Sequence, residues 1–377
     1  MESIVQRAND LYLFRELSRL GPEALLHAAG LTPAQAQSRV HVRALKRPGI
    51  HPVGVVHMTD GLVKLCLFAK VQKADYCGAQ NLERELHYLS SVSPRITAEN
   101  PALRSPIPVV YYPEQRLLLM EFVPGHSLKH HLFDLKFTIG RSDRHDLTEL
   151  LLNAGRWLGS FHRLTLQSTC GNPLEWVLQE FESKRTQEAF LYYSQKYFYD
   201  EMLSILKRYL DQNPNFRRTL CNVHGEFTPI HVMVADDAIY VIDFGNSRLG
   251  YPYEDVGMFA SFYDRLLPWR RLAGSMRIGL QMQKELFLRG YFEQGPSAFN
   301  ESDRAIMRWV RLISFGRMLN AGQDSSTGWG KWMYSRLTLR ALHKRFATLC
   351  GTELAALREL RPDTFNEDSF VDHSACG

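Results

Sequence analysis

The sequence predicts an α+β chain of two lobes, a small antiparallel β lobe followed by a larger and mainly helical lobe. The chain has 377 residues, which exceeds the roughly 250–300 residues at which single cores stop growing. From Val40 to Val71 apolar and polar residues alternate between turn dipeptides, as is typical of strands. Beyond residue 125 the apolar residues recur at helical spacing, as in Leu147–Leu164.

These patterns divide the chain into four segments. We expect a helical appendage at 1–39, the β lobe at 40–124, the helical lobe at 125–360 and a disordered tail at 361–377. The boundary near 124 follows from Pro124-Gly125, which separates the last strand of the β lobe from the next helix.

Composition excludes several classes of protein. Apolar residues make up 45% and charged residues 23% of the chain, as in ordinary globular proteins. No apolar run approaches the roughly 20 residues that cross a bilayer, and the first residues begin no signal peptide, so we expect a cytoplasmic protein. Six cysteines without CxxC spacing predict reduced thiols rather than a zinc site.

The net charge of +5 is unevenly distributed, because residues 256–345 carry 15 Lys or Arg against 6 Asp or Glu. A basic segment of this kind attracts an anionic small molecule or a membrane surface if its charges share one face. The alternative is a set of solvated helix faces. No nucleic-acid-binding motif occurs, so we expect no nucleic acid partner, and a peripheral membrane contact stays open.

A lysine in the β lobe needs a partner. Lys70 lies in the apolar strand Leu62–Val71, where burial penalises an unpaired charge. Glu85 follows 15 residues later on an amphipathic helix that begins at Asn81. We expect a Lys70–Glu85 ion pair, with Glu83 as the alternative partner.

The next elements are two strands and two helical regions. Ile107–Val110 and Leu117–Phe122 have strand character, and Leu147–Leu164 and Leu174–Leu210 have helical periodicity. The apolar faces of both helical regions predict core helices.

The stretch from Cys221 to Gly257 combines polar side chains with a predicted hairpin. Two β-branched runs flank Asp236-Asp237, which indicates two short strands joined by a tight turn. A loop of three residues would place His231 opposite Asp243, about 5 Å away, where both reach one cation. Glu226 lies upstream in a loop, where a carboxylate orients an attacking hydroxyl.

At these residues the sequence resembles the aminoglycoside phosphotransferase and choline kinase superfamily, relatives of the protein kinases. The family motif reads His-Gly-Asp, four residues, Asn, and then Ile-Asp-Phe-Gly. This chain has His224-Gly225-Glu226, His231 and Ile242-Asp243-Phe244-Gly245. Glu226 is one methylene longer than the family's Asp, and His231 stands where the family has Asn. The resemblance spans about residues 40–345 in motif order and implies a bilobal protein-kinase-like fold.

The resemblance also implies roles for the residues that match. Lys70 would hold the nucleotide phosphates and Glu85 would hold Lys70. Backbone groups of Glu121, Phe122 and Val123 would line the adenine. The remaining roles fall on four residues: Glu226 would align the acceptor hydroxyl, His224 would order the catalytic loop, Asp243 would hold Mg²⁺, and Asp255 would brace the loop.

The function so implied is an ATP-dependent phosphotransferase that moves the γ-phosphate to a hydroxyl of a small molecule. The β lobe would bind the nucleotide and the helical lobe the acceptor, a sugar-like, glycan-like or aminoglycoside-like compound, with a neutral or anionic one favoured by the basic segment. His231 has two readings, as a hydrogen-bonding partner in a Mg²⁺ site or as a ligand that favours Mn²⁺. The alternative function is a pseudokinase, which binds nucleotide or a partner without turnover.

Overall fold

A computed structural model describes residues 13, 15–17, 19–20, 24–25, 39–45, 52–60, 63–72, 81–133, 143–184, 195–270, 277–295, 301–321, 344 and 347–359. The chain divides into two compact units. Unit 1 comprises Met1–Leu135 and Ile230–Ser247, and unit 2 comprises Lys136–Pro229 and Arg248–Gly377. The mixed α+β class is confirmed, with an antiparallel sheet near the N-terminus and helices in the C-terminal region.

Unit 1 contains a five-stranded antiparallel sheet in the order β1-β2-β3-β6-β5. Its strands are β1 (Arg39–Ala44), β2 (Val53–Asp60), β3 (Val63–Val71), β5 (Pro108–Tyr112) and β6 (Leu117–Glu121). The dipeptide Pro48-Gly49, which predicts a turn between β1 and β2, lies outside the described residues.

One face of this sheet packs against residues near the N-terminus. Leu13, Leu17 and Leu25 are buried in one cluster with side chains of β2, β3 and β6. These residues therefore contribute to the core of unit 1, whereas the sequence suggested an appendage. Because side chains alternate between the two faces of a strand, Lys70 points away from this cluster.

A second sheet in unit 1 has the order β4-β12-β11-β7, from β4 (Leu103–Arg104), β7 (His126–Ser127), β11 (Val232–Ala235) and β12 (Ala238–Val241). The hairpin β11–β12 corrects the predicted register. Its loop has two residues, Asp236 and Asp237, with φ of 48° and 59°, as in type I′ turns. His231 therefore lies opposite Ile242, whose N–H donates to the His231 carbonyl at 3.0 Å.

Three short helices of unit 1 are described in full. They are α1 (Asn81–Ser91), α2 (Ser93–Glu99) and α3 (Leu128–Phe133). The described residues between 13 and 25 are also helical. The helix α1 is amphipathic, and Leu82 and Leu89 are buried on its apolar face. This face carries Glu85 into the interior.

Unit 2 is mainly helical. Its helices are α4 (Asp143–Leu164), α5 (Pro173–Lys184), α6 (Gln195–Gln212), α7 (Tyr253–Arg270), α8 (Arg277–Gln294) and α9 (Glu301–Ala321), and residues 347–359 are also helical. Two small antiparallel pairs join β8 (Cys170–Gly171) to β9 (Arg218–Thr219), and β10 (Cys221–Val223) to β13 (Arg248–Gly250). The predicted helix Leu147–Leu164 is confirmed as part of α4.

Glycines allow α4 and α8 to approach closely. A side chain at Gly155 would collide with the Phe287 carbonyl, and one at Gly290 would collide with the Leu152 carbonyl. Without side chains at these two positions the helix backbones pack in direct contact, and α4 stays fixed beneath the loop that follows β10.

Two further observations concern membrane-spanning helices and cysteines. Among the described residues, no helix is long and apolar enough to span a membrane. The expectation of six reduced thiols is wrong, because Cys170 is disulfide-bonded, whereas Cys66, Cys221 and Cys350 are free. Sequence spacing could not reveal this bond, since it depends on which cysteines meet in the folded chain.

Candidate active site

The polar centre of unit 1 is built around Lys70, which is only 5% exposed. Its Nζ donates to Glu85 Oε2 at 2.6 Å and to Asp243 Oδ1 at 2.6 Å. The predicted pairing of Lys70 with Glu85 is confirmed, and the alternative partner Glu83 is exposed to solvent.

The two carboxylates keep Lys70 charged. Burial alone would lower the pKa of Lys70, but the charges of Asp243 and Glu85 outweigh it and raise that pKa above its ordinary value. Burial likewise raises the pKa of Glu85, against the opposing charge of Lys70. The ammonium is therefore a fixed positive charge across the physiological pH range.

The helix α1 is tied to the segment that follows Asp243. Glu85 accepts a hydrogen bond from the backbone of Phe244, and the Tyr88 and Phe244 rings stack with centroids 6.2 Å apart. Arg84 Nη1 donates to the Ser247 carbonyl at 2.7 Å. These contacts fix Glu85 and Asp243 on either side of Lys70.

Asp243 adopts an unusual backbone conformation. Its φ of 70° and ψ of 63° lie in the left-handed region, which residues other than glycine rarely occupy. It precedes the 3₁₀ turn Phe244–Asn246, and its side chain is 40% exposed. His231 Nε2 lies 3.8 Å from Asp243 Oδ2. Strain of this kind is concentrated at functional sites, where the surrounding structure holds it.

Asp243 offers an oxygen ligand to a hard divalent cation, and His231 offers a softer nitrogen ligand beside it. Mg²⁺ is commonly held by one or two carboxylates together with substrate phosphates. The half-exposed carboxylate of Asp243 offers such an oxygen. His231 offers a nitrogen, which Mg²⁺ accepts poorly and which Mn²⁺ or Zn²⁺ accept better.

In unit 2, Asp255 organises the loop that follows β10. Its carboxylate is fully buried. It accepts hydrogen bonds from the backbone N–H of His224 at 2.6 Å and of Gly225 at 2.9 Å. His162 Nε2 lies 3.1 Å from the same carboxylate. Gly225 has a φ of 83°, a conformation that glycine adopts without strain.

The environment of Asp255 favours its charged form. Burial would raise the pKa of Asp255, but the hydrogen bonds and charges of His162 and His224 outweigh burial and lower it. A carboxylate with a lowered pKa contributes stability above its unfolded pKa, and that contribution is lost as pH falls through the folded pKa.

We therefore expect Asp255→Asn to lower the free energy of unfolding by about 3 kcal/mol, since removal of one partner leaves buried donors unsatisfied. The exposed turn residue Asp237 provides a control, because Asn tolerates its positive φ. Urea denaturation at pH 7 should separate Asp255→Asn from Asp237→Asn. The difference should shrink below about pH 4, where carboxyl groups protonate. Equal stability of the two variants at pH 7 would contradict the bracing role.

Two features of this loop were missed from the sequence. The Phe227 ring stacks on Trp157 with centroids 6.0 Å apart and on Phe287 at 6.2 Å, which anchors the loop in the core of unit 2. His162 also approaches the Tyr291 hydroxyl, 3.1 Å from Nδ1. Trp157, His162 and Phe287 have the spacing of ordinary core residues in helices. The local sequence pattern therefore could not reveal these contacts.

Glu226 lies directly after the braced backbone. Its N–H donates to His224 Nδ1 at 3.4 Å, which gives His224 a contact consistent with ordering the loop. The Glu226 side chain is not buried. It remains a predicted catalytic residue in unit 2, whereas Lys70, Glu85, Asp243 and His231 lie together in unit 1.

The stretch predicted to meet adenine ends β6. The Glu121 N–H donates to the Ile107 carbonyl at 2.8 Å, and Glu121 Oε2 accepts from the Ile107 N–H at 3.1 Å. Val123 is buried against the β11–β12 hairpin. Any adenine contact here therefore has to come from backbone groups other than the Glu121 N–H.

The described arginines of the basic segment are largely paired. Arg289 lies 3.4 Å from Glu293, and Arg308 and Arg311 share Glu353 at 2.7 and 2.8 Å. Paired charges contribute little net field. The described part of this segment therefore gives no support to a concentrated basic surface.

Unit 1 has an antiparallel sheet with a buried Lys–Glu pair and a strained aspartate in an Asp-Phe-Gly sequence. Unit 2 is helical and has a loop that is braced by a buried carboxylate. These features are typical of a phosphotransferase of kinase-like fold. Residues 77–292, more than half of the chain, match the sequence profile of the phosphotransferase enzyme family. The chain belongs to this family of phosphotransferases.

Solved structures support the fold. A Ralstonia eutropha JMP134 protein assigned as an aminoglycoside phosphotransferase has 14% identity and a TM-score of 0.52, with 90% of this chain and 98% of that chain covered. A thermostable mutant of aminoglycoside phosphotransferase APH(4)-Ia has 11% identity and a TM-score of 0.51, covering 87% and 97%. A microcompartment-associated aminopropanol kinase has 14% identity and a TM-score of 0.50, covering 86% and 95%. No curated protein matches the sequence.

Proposed function

We propose that this protein transfers the γ-phosphate of ATP to a hydroxyl group of a small molecule. The observation that carries the proposal is Lys70, a buried ammonium held 2.6 Å from both Glu85 and Asp243. The two hydrogen bonds hold the Lys70 side chain in one conformation, so its positive charge has a fixed position. Phosphoryl transfer depends mainly on such positioning and on neutralisation of charge.

Lys70 and Asp243 would have different roles in nucleotide binding. Lys70 would bind the α- and β-phosphates, with Glu85 fixing its direction. Asp243 would hold Mg²⁺, which supplies charge neutralisation at the phosphates. Without nucleotide, Lys70 and Asp243 neutralise each other. Phosphate binding therefore exchanges part of an internal ion pair for contacts with the ligand, and backbone groups of Glu121, Phe122 and Val123 would contact the adenine.

Glu226 would orient the acceptor hydroxyl and accept its proton. Asp255 supports this role because it fixes the two residues before Glu226 through their backbone N–H groups. A carboxylate on a braced loop holds its hydrogen-bonding geometry more closely than one on a free loop. Glu226 has one methylene more than the family's Asp, so its carboxylate extends farther from the backbone. The acceptor hydroxyl would have to bind correspondingly farther from the loop.

For the acceptor we propose a sugar-like, glycan-like or aminoglycoside-like compound with a free hydroxyl. The paired arginines described above remove part of the reason to favour an anionic acceptor. Neutral and cationic compounds therefore belong in the same test. We expect the reaction to take place in the cytoplasm, where ATP is supplied.

A two-stage experiment tests the function. Thermal shift is measured first with ATP or GTP, each with Mg²⁺ or Mn²⁺, and phosphate transfer is then measured across sugars, aminoglycosides and amino alcohols. We expect stabilisation by ATP with Mg²⁺ and transfer to at least one hydroxyl compound. Stabilisation by ATP without transfer to any acceptor or to water would favour the pseudokinase. No response to either nucleotide would contradict the proposed nucleotide site.

The metal preference is a separate prediction. His231 lies 3.8 Å from Asp243, which suits a hydrogen-bonding partner of a phosphate as well as a ligand. We favour the former role, because a histidine beside phosphates gains from protonation. His231→Asn should then preserve or raise Mg²⁺-dependent transfer, and Mn²⁺ should change the rate little. A strong preference of the wild type for Mn²⁺ that disappears in His231→Asn would make His231 a metal ligand instead.

A further inference from the structure

Three potential ligands form a row across the five-stranded sheet. His41 on β1 pairs with His57 on β2, and His57 pairs with Cys66 on β3. Directly paired residues project from the same face of a sheet. We call these residues the His-His-Cys row. It lies on the same face as Lys70, four residues along β3 from Cys66.

The distance between two of these ligands suits a metal ion. Cys66 Sγ lies 3.5 Å from His57 Nδ1. A tetrahedral zinc site has Zn–S of about 2.3 Å and Zn–N of about 2.0–2.1 Å, which separates sulfur from nitrogen by about 3.6 Å. The observed pair therefore has the spacing of two zinc ligands before any movement.

The third ligand requires a small movement. The rings of His41 and His57 are tilted by 43°, with centroids 6.2 Å apart. His41 is exposed, and exposed side chains change rotamer freely on the picosecond to nanosecond timescale. A third ligand at this position requires His41 to rotate toward the His57–Cys66 pair.

The chemistry of the row selects the kind of ion. One thiolate and two imidazoles prefer Zn²⁺ and similar borderline or soft ions to Mg²⁺. Burial raises the pKa of the Cys66 thiol, and Arg43 opposes this rise. The metal-free thiol therefore keeps its proton and shares a hydrogen bond with His57. Binding of the ion displaces that proton to solvent.

We propose that His41, His57 and Cys66 form a zinc-class metal site with three protein ligands and a fourth position open to solvent. The ion crosslinks β1, β2 and β3, so its binding stabilises the sheet of unit 1 by mass action. The site is separate from Asp243 and does not depend on the proposed phosphotransfer reaction.

The test uses the full chain, stripped of metal with a chelator and free of nucleotide. Zn²⁺ binding is measured by calorimetry, and Co²⁺ binding by the thiolate-to-metal absorption band. We expect one thiolate-containing site, which gives a thiolate-to-metal band with Co²⁺, and a raised melting temperature with Zn²⁺. Cys66→Ser should abolish the Co²⁺ band and weaken Zn²⁺ binding at least about tenfold, since outer-shell changes alone cost that much.

Two further variants separate this site from other surface histidines. His41→Gln changes an exposed side chain, preserves the fold, and should also weaken Zn²⁺ binding at least about tenfold. The rings of His126 and His130 stack with centroids 4.4 Å apart, so His126→Ala with His130→Ala is the matched control and should leave the Co²⁺ band intact. Absence of Zn²⁺ binding in the wild type would overturn the proposal. Binding that survives Cys66→Ser and His41→Gln but is lost in the control would overturn it as well.

Discussion

Lys70→Met should lower the rate of phosphate transfer by about 10²–10³-fold, the usual cost of removing one preorganised electrostatic contact. The nucleotide affinity should fall with it, because in the proposed role Lys70 would contact the phosphates in the ground state as well as in the transition state. The measurement is kcat, KM and the dissociation constant for ATP at saturating Mg²⁺.

The single substitution also leaves Glu85, which is 2% exposed, without its cation. Removing one member of a buried pair costs about 3–5 kcal/mol of stability, so loss of folding has to be separated from loss of chemistry. Lys70→Met combined with Glu85→Gln removes both charges and should recover stability without recovering transfer. Lys207→Ala removes a lysine from an exposed pair with Glu182 and should change neither property. Normal transfer by the stable double variant would show that Lys70 does not bind the phosphates.

Glu226→Gln should lower kcat by about 10²–10⁴-fold, which is the usual contribution of a general base. Folding and ATP affinity should stay near the wild-type values, because the side chain is not buried and its volume is unchanged. Comparison of single-turnover transfer with equilibrium ATP binding measures the two effects separately.

Glu226→Asp is the matched variant, since it keeps the charge and restores the family's residue. It should retain more activity than Glu226→Gln even if the shorter side chain reaches the acceptor less well. If Glu226→Gln equals the wild type in transfer, another group positions the hydroxyl. If Glu226→Asp is as inactive as Glu226→Gln, the length of the side chain matters as much as its charge.

The sequence predicted those features that depend on local pattern. The helix α4 and the α+β class follow from periodicity, which samples only neighbouring residues. The Lys70–Glu85 pair was predictable because a charge in an apolar strand needs a partner, and the adjacent amphipathic helix offers one. The same logic could not find the second partner, Asp243, since it comes from the hairpin that follows 173 residues later.

The errors come from features that local pattern leaves undetermined. A two-residue loop and a three-residue loop give hairpin registers that differ by one residue, and the sequence Asp236-Asp237-Ala238 permits either loop. The observed positive φ at both aspartates settles it in favour of the two-residue turn, which matches the twist of the strands. Helical periodicity near the N-terminus likewise indicated an apolar face but could not show that Leu13 and Leu17 pack on the sheet of unit 1.

The most direct test is to incubate the purified chain with ATP that carries ³²P in its γ-phosphate, Mg²⁺ and the acceptor panel, and to follow the label into the acceptor by thin-layer chromatography. Asp243→Asn serves as the inactive control, because it removes the carboxylate that would hold Mg²⁺. We predict a phosphate monoester on one class of hydroxyl compound with the wild type and none with Asp243→Asn. The account would be contradicted if no acceptor is labelled while ATP binds, or if Asp243→Asn transfers phosphate at the wild-type rate.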